Sequence, residues 1–417
     1  MNFAYKTAVA AVTVLATATS CIQKEALNTE CDILTCEFPS EILMASPIIT
    51  NNSVTVNVLP DADISALSPV FTLTEGATIS PASGSVQDFL NAEDHTVSYT
   101  TTSQDGEWSK DYRVRVVQQQ KPSEYYFNKV ELDPSSRKYS IFNEYSHDDA
   151  GWHFLMAWAS GNPGYVMCGE ADKKAKAQYG NDNYKDHIWE YFPTLAVYPE
   201  GTEIRTNADN VANFMLGDEY ATPEYIRLVT RSTGGFGKMV AMPIASGNIF
   251  MGEFDLENAV QHPREATKFG EPYLYKPLKV SGEFRYKAGD TFTDEKGKTV
   301  DGQKDKFSIY AVFFLSDENT QYIDGNEYHN NFNNSAMVAV ACLDSSLAIE
   351  TGLDDDNWTT FEINFDYDRY NKEIDKALLA KGRYKLGIVI ASSAEGDYFK
   401  GAVGSTLDIR NLKIVNE

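Results

Sequence analysis

Apolar and polar residues alternate in short runs along most of the chain. Val54, Val56 and Val58 alternate ahead of Pro60 and Asp61, and the pattern returns at Val97 and Tyr99 and again at Tyr112, Val114 and Val116. A period of two sends every second side chain to one face, so these runs predict half-buried strands. Glu75-Gly76, Ser83-Gly84 and Asp105-Gly106 punctuate them at the intervals of a sandwich. Residues 33–119 are therefore expected to form an Ig-like β-sandwich, one without a Cys-Trp-Cys core. Gln118 to Pro122 is polar and ends in a strand-breaking proline, which places a domain boundary there.

From 122 to 417 the pattern predicts one larger unit. Its strands are expected at Phe284 to Tyr286, Phe307 to Leu315, Met337 to Leu343, Trp358 to Phe365, Tyr384 to Ala391 and Leu407 to Val415. Phe307, Ile309, Ala311, Phe313 and Leu315 give one face large apolar groups, and Tyr310, Val312 and Phe314 leave the other half apolar too. Such strands belong inside a sandwich. One helix is expected over Asp368 to Lys381, with Ile374, Leu378 and Leu379 on one side and Gly382 as its stop. The fold class is all-β: an N-terminal Ig-like β-sandwich followed by a larger jelly-roll-like β-sandwich.

The first residues break the pattern. Lys6 precedes an apolar run from Thr7 to Ala16, and the small residues Ala18, Thr19 and Ser20 lead into Cys21. This is the arrangement of a signal peptide over 1–20 that ends at a lipobox, and the run falls short of the ~20 residues that span a bilayer. Cys21 is thus expected to become the acylated first residue, followed by a polar tether over 21–32. Lys24, Glu25 and Glu30 in the tether resemble the surface-export signal of Bacteroidetes lipoproteins. The expected location is the outer membrane, lipid-anchored and exposed at the cell surface.

Charge narrows the partners. Sixty acidic residues against 36 basic ones give a formal charge of -24, which repels a phosphate backbone and excludes nucleic acid. An anionic polysaccharide meets the same repulsion except at a locally basic spot. Cys31 and Cys36 are close enough to bridge, whereas Cys168 and Cys342 sit among apolar residues and are expected to be buried thiols. No cysteine pair has zinc-finger spacing. There is no G-x-S-x-G elbow, no H-E-x-x-H and no Walker loop, because Gly237-Lys238 runs into Met239. No cofactor is implied.

Trp158 to Asn162, Thr233 to Asn248 and Tyr398 to Leu407, with Ala266 to Gly270 between the last two, resemble the putative carbohydrate metabolism domain of Bacteroidetes lipoproteins. The likeness runs from about Tyr126 to Val415. It implies a jelly-roll-like fold and a glycan role, and it carries no catalytic residues with it. Tyr126 to Glu131 departs from the aromatic, acidic stretch that the family shows there. The Gly76 to Pro81 stretch, Asp88-Phe89 and Tyr112 to Val114 are similar to the Ig-like spacer modules of such lipoproteins, which hold another domain away from the membrane.

Sugar recognition needs an aromatic plate against a pyranose face and planar polar groups for paired hydroxyls. Trp158 and Asn162, at a Gly-Asn-Pro-Gly turn, offer both, the alternative being that Trp158 belongs to the core. Trp189, Tyr191, Phe192 and Tyr198 form a second cluster on what reads as a long loop, with coverage of the sheet edge as its plain role. Lys238 is placed to reach a ligand from the glycine-rich turn, unless that turn only closes a hairpin. Glu253 and Asp255 are an acid pair two residues apart. Asp408 on the last strand and Glu131 on the first are candidate oxygen ligands for a structural calcium, against a salt bridge to Arg410 or plain exposure. The reading that follows is carbohydrate binding by the C-terminal domain of a surface lipoprotein. A glycoside hydrolase of the same fold and a structural or adhesive surface protein are the alternatives.

Overall fold

The structure, a computed structural model, describes residues 27–60, 62–118, 123–148, 151–207, 211–344 and 350–417. Cys21, the signal peptide and residues 119–122 of the expected boundary lie outside these, as does the tether up to residue 26.

In the N-terminal region the alternating valines do what their period requires. Strands Ile48–Ile49, Ser53–Asn57, Ser109–Val117, Thr96–Thr102 and Thr78–Ser80 form a five-stranded sheet in that order. The Ser53–Asn57 and Ser109–Val117 strands run parallel. Val54, Val56, Val114, Val116, Tyr99 and Tyr112 point inward from it, and the pair Ile33–Glu37 and Val70–Leu73 closes the opposite side with Ile33, Cys36 and Phe71. Cys31 and Cys36 are both buried as free thiols, and burial pushes the Cys36 thiol up to about 12. Cys168 is free and half-buried and Cys342 is free but exposed, against the expected burial of both.

The C-terminal region is a sandwich of two antiparallel sheets. The six-stranded sheet runs Thr194–Val197, Tyr225–Val229, Thr406–Asn416, Pro277–Lys287, Thr359–Asn364, with Glu124–Tyr125 beside Thr406–Asn416. The thirteen-stranded sheet has Lys129–Leu132, Ser140–Asp148, Gly151–Ala159, Asn248–Phe254, Tyr384–Ala391, Ser308–Leu315 and Met337–Cys342 as its central path. Between the sheets lies the main core, which takes Ile309, Ala311, Phe313, Leu386, Ile388 and Ile390 from one side and Leu407, Ile409, Phe284 and Phe361 from the other. The two-sided apolar pattern of Ser308–Leu315 has a direct cause. Tyr310, Val312 and Phe314 face outward into a second core with Phe250, Phe269, Phe332 and Val389, so the large sheet is covered on both faces.

Helical expectations fared worse. Only Lys376–Ala380 of the expected Asp368 to Lys381 helix is helical; Asp375 caps it by accepting from Ala377 N and Leu378 N at 2.8 and 3.1 Å. The stretch read as a long loop instead contains a helix, Glu170–Asn183, followed by 3-10 turns over Tyr184–Tyr191. Its buried positions are the small Ala171 and Ala175, four residues apart, which leave almost no apolar stripe to read.

Among the described residues an ion pair and hydrogen bonds join the regions. Arg113 donates to Glu131 at 2.7 Å, and Arg115 reaches Asp94 at 3.2 Å and the Tyr145 hydroxyl at 3.1 Å. Asp94 in turn accepts from Phe154 N at 2.7 Å.

Candidate functional site

On the outer face of the thirteen-stranded sheet, covering segments and the sheet enclose a cavity of about 170 Å³. Its floor is Phe250, Tyr310, Val389 and Ala391, the outward side chains of three adjacent strands. Its walls take residues from each of the chain segments singled out in the sequence and from stretches beside them, such as Tyr165, Phe254 and Ser393. Gly161 represents the first. The second contributes Thr233, Phe236, Gly237, Val240, Met242 and Ile244 to Ser246, and ends at Asn248. Thr267 and Phe269 come from the short stretch between, and Phe399 from the last.

Close packing explains the glycines of the second segment. A side chain on Gly247 would overlap the backbone at Val229 and Pro193, and one on Gly237 would overlap Thr233 and the Met242 carbonyl. The turn read as a hairpin is in fact a short helix, Gly234–Met239, which leans Phe236 over the cavity. Asn248 binds the first segment to the second by accepting from Gly161 N at 2.8 Å.

The last segment is tied down from behind by Asp305, which is buried. Its Oδ2 accepts from Ser393 Oγ, Ala402 N and Ser405 Oγ at 2.6, 2.7 and 2.7 Å, and its Oδ1 from Lys306 N at 2.9 Å. Burial pushes this carboxyl up, while the four donors pull it back. Ser393 continues into a buried hydroxyl chain through Thr230, Ser392 and Ser246. The knot fixes the cavity's back wall and is itself satisfied.

Among the described residues one charged side chain lines the cavity, Asp397. His329 Nε2 lies 2.9 Å from its Oδ1, and its Oδ2 is buried with no hydrogen-bond partner among the described residues. The His329 ring stands edge-on to Tyr398 at 4.3 Å, and Arg264 sits over Tyr398 at 4.7 Å. Tyr165, Phe254 and Tyr328 add aromatic wall. The result is a concave site of aromatic and aliphatic groups with a few polar atoms, the general form of a small-ligand pocket.

The residues expected at a sugar site are elsewhere. Trp158 is 3% exposed and packs against Tyr125 and Phe127 at 5.3 and 5.2 Å, so it is core and no open plate. Asn162 is fully buried; its amide donates to Thr194 O at 2.8 Å and accepts from Thr194 N at 3.1 Å, a clip between backbone segments. Trp189 and Tyr198 pack on Phe214 at 5.0 and 4.5 Å, Trp189 edge-on and Tyr198 stacked, and the Tyr198 hydroxyl is buried. Both cover the main core, as the edge-covering alternative has it. Lys238 is exposed on the helix that carries Phe236, outside the cavity lining.

The calcium pair is also corrected. Asp408 lies fully buried on the six-stranded sheet, where Arg227 and Arg285 donate to both its oxygens at 2.8 to 2.9 Å. Glu131 lies on the other sheet and is taken by Arg113. Each carboxylate already has a cation, and Arg410 pairs with Glu283 instead. No group of three or more metal-binding side chains occurs among the described residues. Asp255 is held by Lys268 at 2.8 Å; burial pushes the Glu253 carboxyl up, and neither residue lines the cavity.

Asp397, Tyr310 and Phe254 were missed. Asp397 stands one residue before the last family stretch, and Tyr310 is on the outward face of a strand whose two-sided pattern was plain. Only their convergence was hidden.

Comparison with known proteins supplies the context. Residues 126–415 match the family model described as putative carbohydrate metabolism domain, and residues 33–116 match that described as SGBP, N-terminal. A crystal structure from Bacteroides thetaiotaomicron VPI-5482, described as a putative glycoside hydrolase, is 38% identical with a TM-score of 0.75, covering 95% of this chain and 99% of that one. One from Bacteroides vulgatus ATCC 8482, described in the same words, is 33% identical with a TM-score of 0.54, covering 72% and 99%. No curated protein matches.

Proposed function

The chain belongs to the putative carbohydrate metabolism domain family, and from that premise we propose that it binds carbohydrate in the cavity on the outer face of the thirteen-stranded sheet. One observation carries this. The segments that mark the family, far apart in sequence, meet around a single aromatic-walled cavity. Aromatic rings suit the C–H faces of a sugar, and Asp397, Asn248, Ser246 and Thr233 offer polar atoms for hydroxyls.

The relatives described as glycoside hydrolases favour a second reading, hydrolysis. That chemistry uses two carboxyl groups roughly 5 to 10 Å apart across the scissile bond. Among the described residues the cavity lining offers Asp397 alone, which weighs toward capture. A glycan array on the purified chain, with reducing-end release measured on every hit, tests both. Binding without release, lost when Ala245→Phe fills the cavity at unchanged melting temperature, is the expected result. Release from a hit glycan overturns capture in favour of hydrolysis.

In this reading Cys21 anchors the chain to the outer membrane and residues 33–116 space the binding domain from it, exposed at the cell surface. The match to SGBP, N-terminal supports that placement. Among the described residues no helix is long and apolar enough to cross a membrane. Cys21→Ala is expected to abolish palmitate labelling and release the protein from the membrane fraction; retention as an integral protein would contradict the anchor.

A further inference from the structure

Which sugars the cavity takes is readable from its one charge, given the glycan reading above. Asp397 lines the cavity and meets His329 with its exposed Oδ1, while Oδ2 is closed off by packing and has no hydrogen-bond partner among the described residues, so a donor arriving from the cavity meets Oδ1. A carboxylate oxygen has about two acceptor positions, so Oδ1 keeps one open beside His329. Phe250, Phe254, Phe269 and Tyr310 line the same cavity as low-dielectric wall, in which a charge-assisted hydrogen bond is strengthened and a like charge is repelled. The nearby cations are occupied elsewhere: Arg264 lies over the Tyr398 ring, and Lys400 pairs with Glu395. The acidic surplus of the chain adds repulsion at longer range.

We propose that Asp397 is a specificity residue that selects an amino sugar, whose protonated amine donates to the carboxylate, over a neutral hexose, and that rejects a uronic acid. Neutral sugars bind through hydroxyl donors to the same oxygen, Oδ1. His329 acts as a positioning residue that sets the carboxylate plane.

The test titrates the full chain, and separately Asp397→Asn, with the methyl β-glycosides of glucosamine, glucose and glucuronic acid, read by saturation-transfer NMR. These probes share one ring and differ in charge. The wild-type chain is expected to bind the glucosaminide about tenfold more tightly than the glucoside, as an ionic hydrogen bond does over a neutral one, and not to bind the glucuronide. In Asp397→Asn, whose amide has the same shape and can still meet His329, the first two are expected to converge. A glucuronide that binds the wild type as tightly as the glucoside overturns the proposal. So does an order that survives in Asp397→Asn. If none of the three sugars binds and no array glycan does, the glycan reading falls and this inference with it; binding without discrimination overturns only the inference.

Discussion

The outer faces of the two sheets both carry buried carboxylate oxygens, in opposite states. On the six-stranded sheet Asp408 is matched by Arg227 and Arg285, Glu283 by Arg410, and Trp358 lies under Arg410 at 3.9 Å. Arg285 also reaches the exposed Asp355 at 3.0 Å. The charges of this cluster all have a counter-charge, and its aromatic ring is covered by a guanidinium. On the thirteen-stranded sheet Asp397 has one half-buried imidazole as its recorded partner, and lies in an apolar cavity. A buried charge whose partners are built in serves the fold, whereas one with acceptor capacity left open beside a cavity is where a ligand's donor fits. Residue type alone does not separate the two, since both are aspartates beside aromatic rings.

Four substitutions sharpen or break this contrast. The core between the faces sets the scale: Trp158→Ala is expected to cost roughly 3 to 5 kcal/mol by cavity formation, seen as a fall of several degrees in melting temperature. An unchanged melting temperature would put Trp158 back among the candidates for an open plate. Asp408→Asn should come next, at about 3 kcal/mol, because it removes the buried counter-charge that Arg227 and Arg285 share and leaves the buried guanidinium of Arg285 only the solvent-exposed Asp355. Chelators should not imitate it; a melting temperature that falls with EDTA would revive a metal at this face.

Glu144 is a third kind of buried carboxylate, given donors but no cation. It accepts from Tyr126 N and Phe127 N at 3.1 and 2.7 Å, and burial pushes its carboxyl up from 4.5 to about 7 against the pull of those donors and of the Trp158 side chain. The folded state therefore holds this proton more tightly than the unfolded chain does. Its stabilisation is complete below about pH 4.5 and is lost as pH rises through about 7. The loss is expected to reach roughly 2 to 3 kcal/mol by about pH 8. Glu144→Gln, whose amide oxygen can accept from the same donors, should flatten that part of the profile in thermal melts. A pH dependence identical to wild type would show that Glu144 ionises without cost. The smallest stability effect belongs to Asp397→Asn, within about 0.5 kcal/mol as for a substitution away from the core, while ligand binding changes; a large drop in melting temperature would make Asp397 structural, like Asp408.

The strands were legible because period-two burial is written directly into residues such as Val54, Val56 and Val58 or Ile309, Ala311 and Phe313. The family stretches were legible as segments, though not as one place, because their meeting depends on sheet order that no single segment encodes. Trp158 misled because a tryptophan beside a glycine-rich turn looks the same in sequence whether its ring points in or out. Helix Glu170–Asn183 was hidden because its buried face is alanine. Asp408 drew attention by its place on the last strand, yet its arginines come from residues 227 and 285 on neighbouring strands.

The central claim, that the cavity is the glycan site, is tested most directly by a crystal structure of the chain with its best array glycan. Sugar density is expected between Phe250, Tyr310 and Phe399, with a donor atom within hydrogen-bond distance of Asp397. Density against Trp358 on the six-stranded sheet, or on the N-terminal sandwich, with the cavity unchanged, would contradict it.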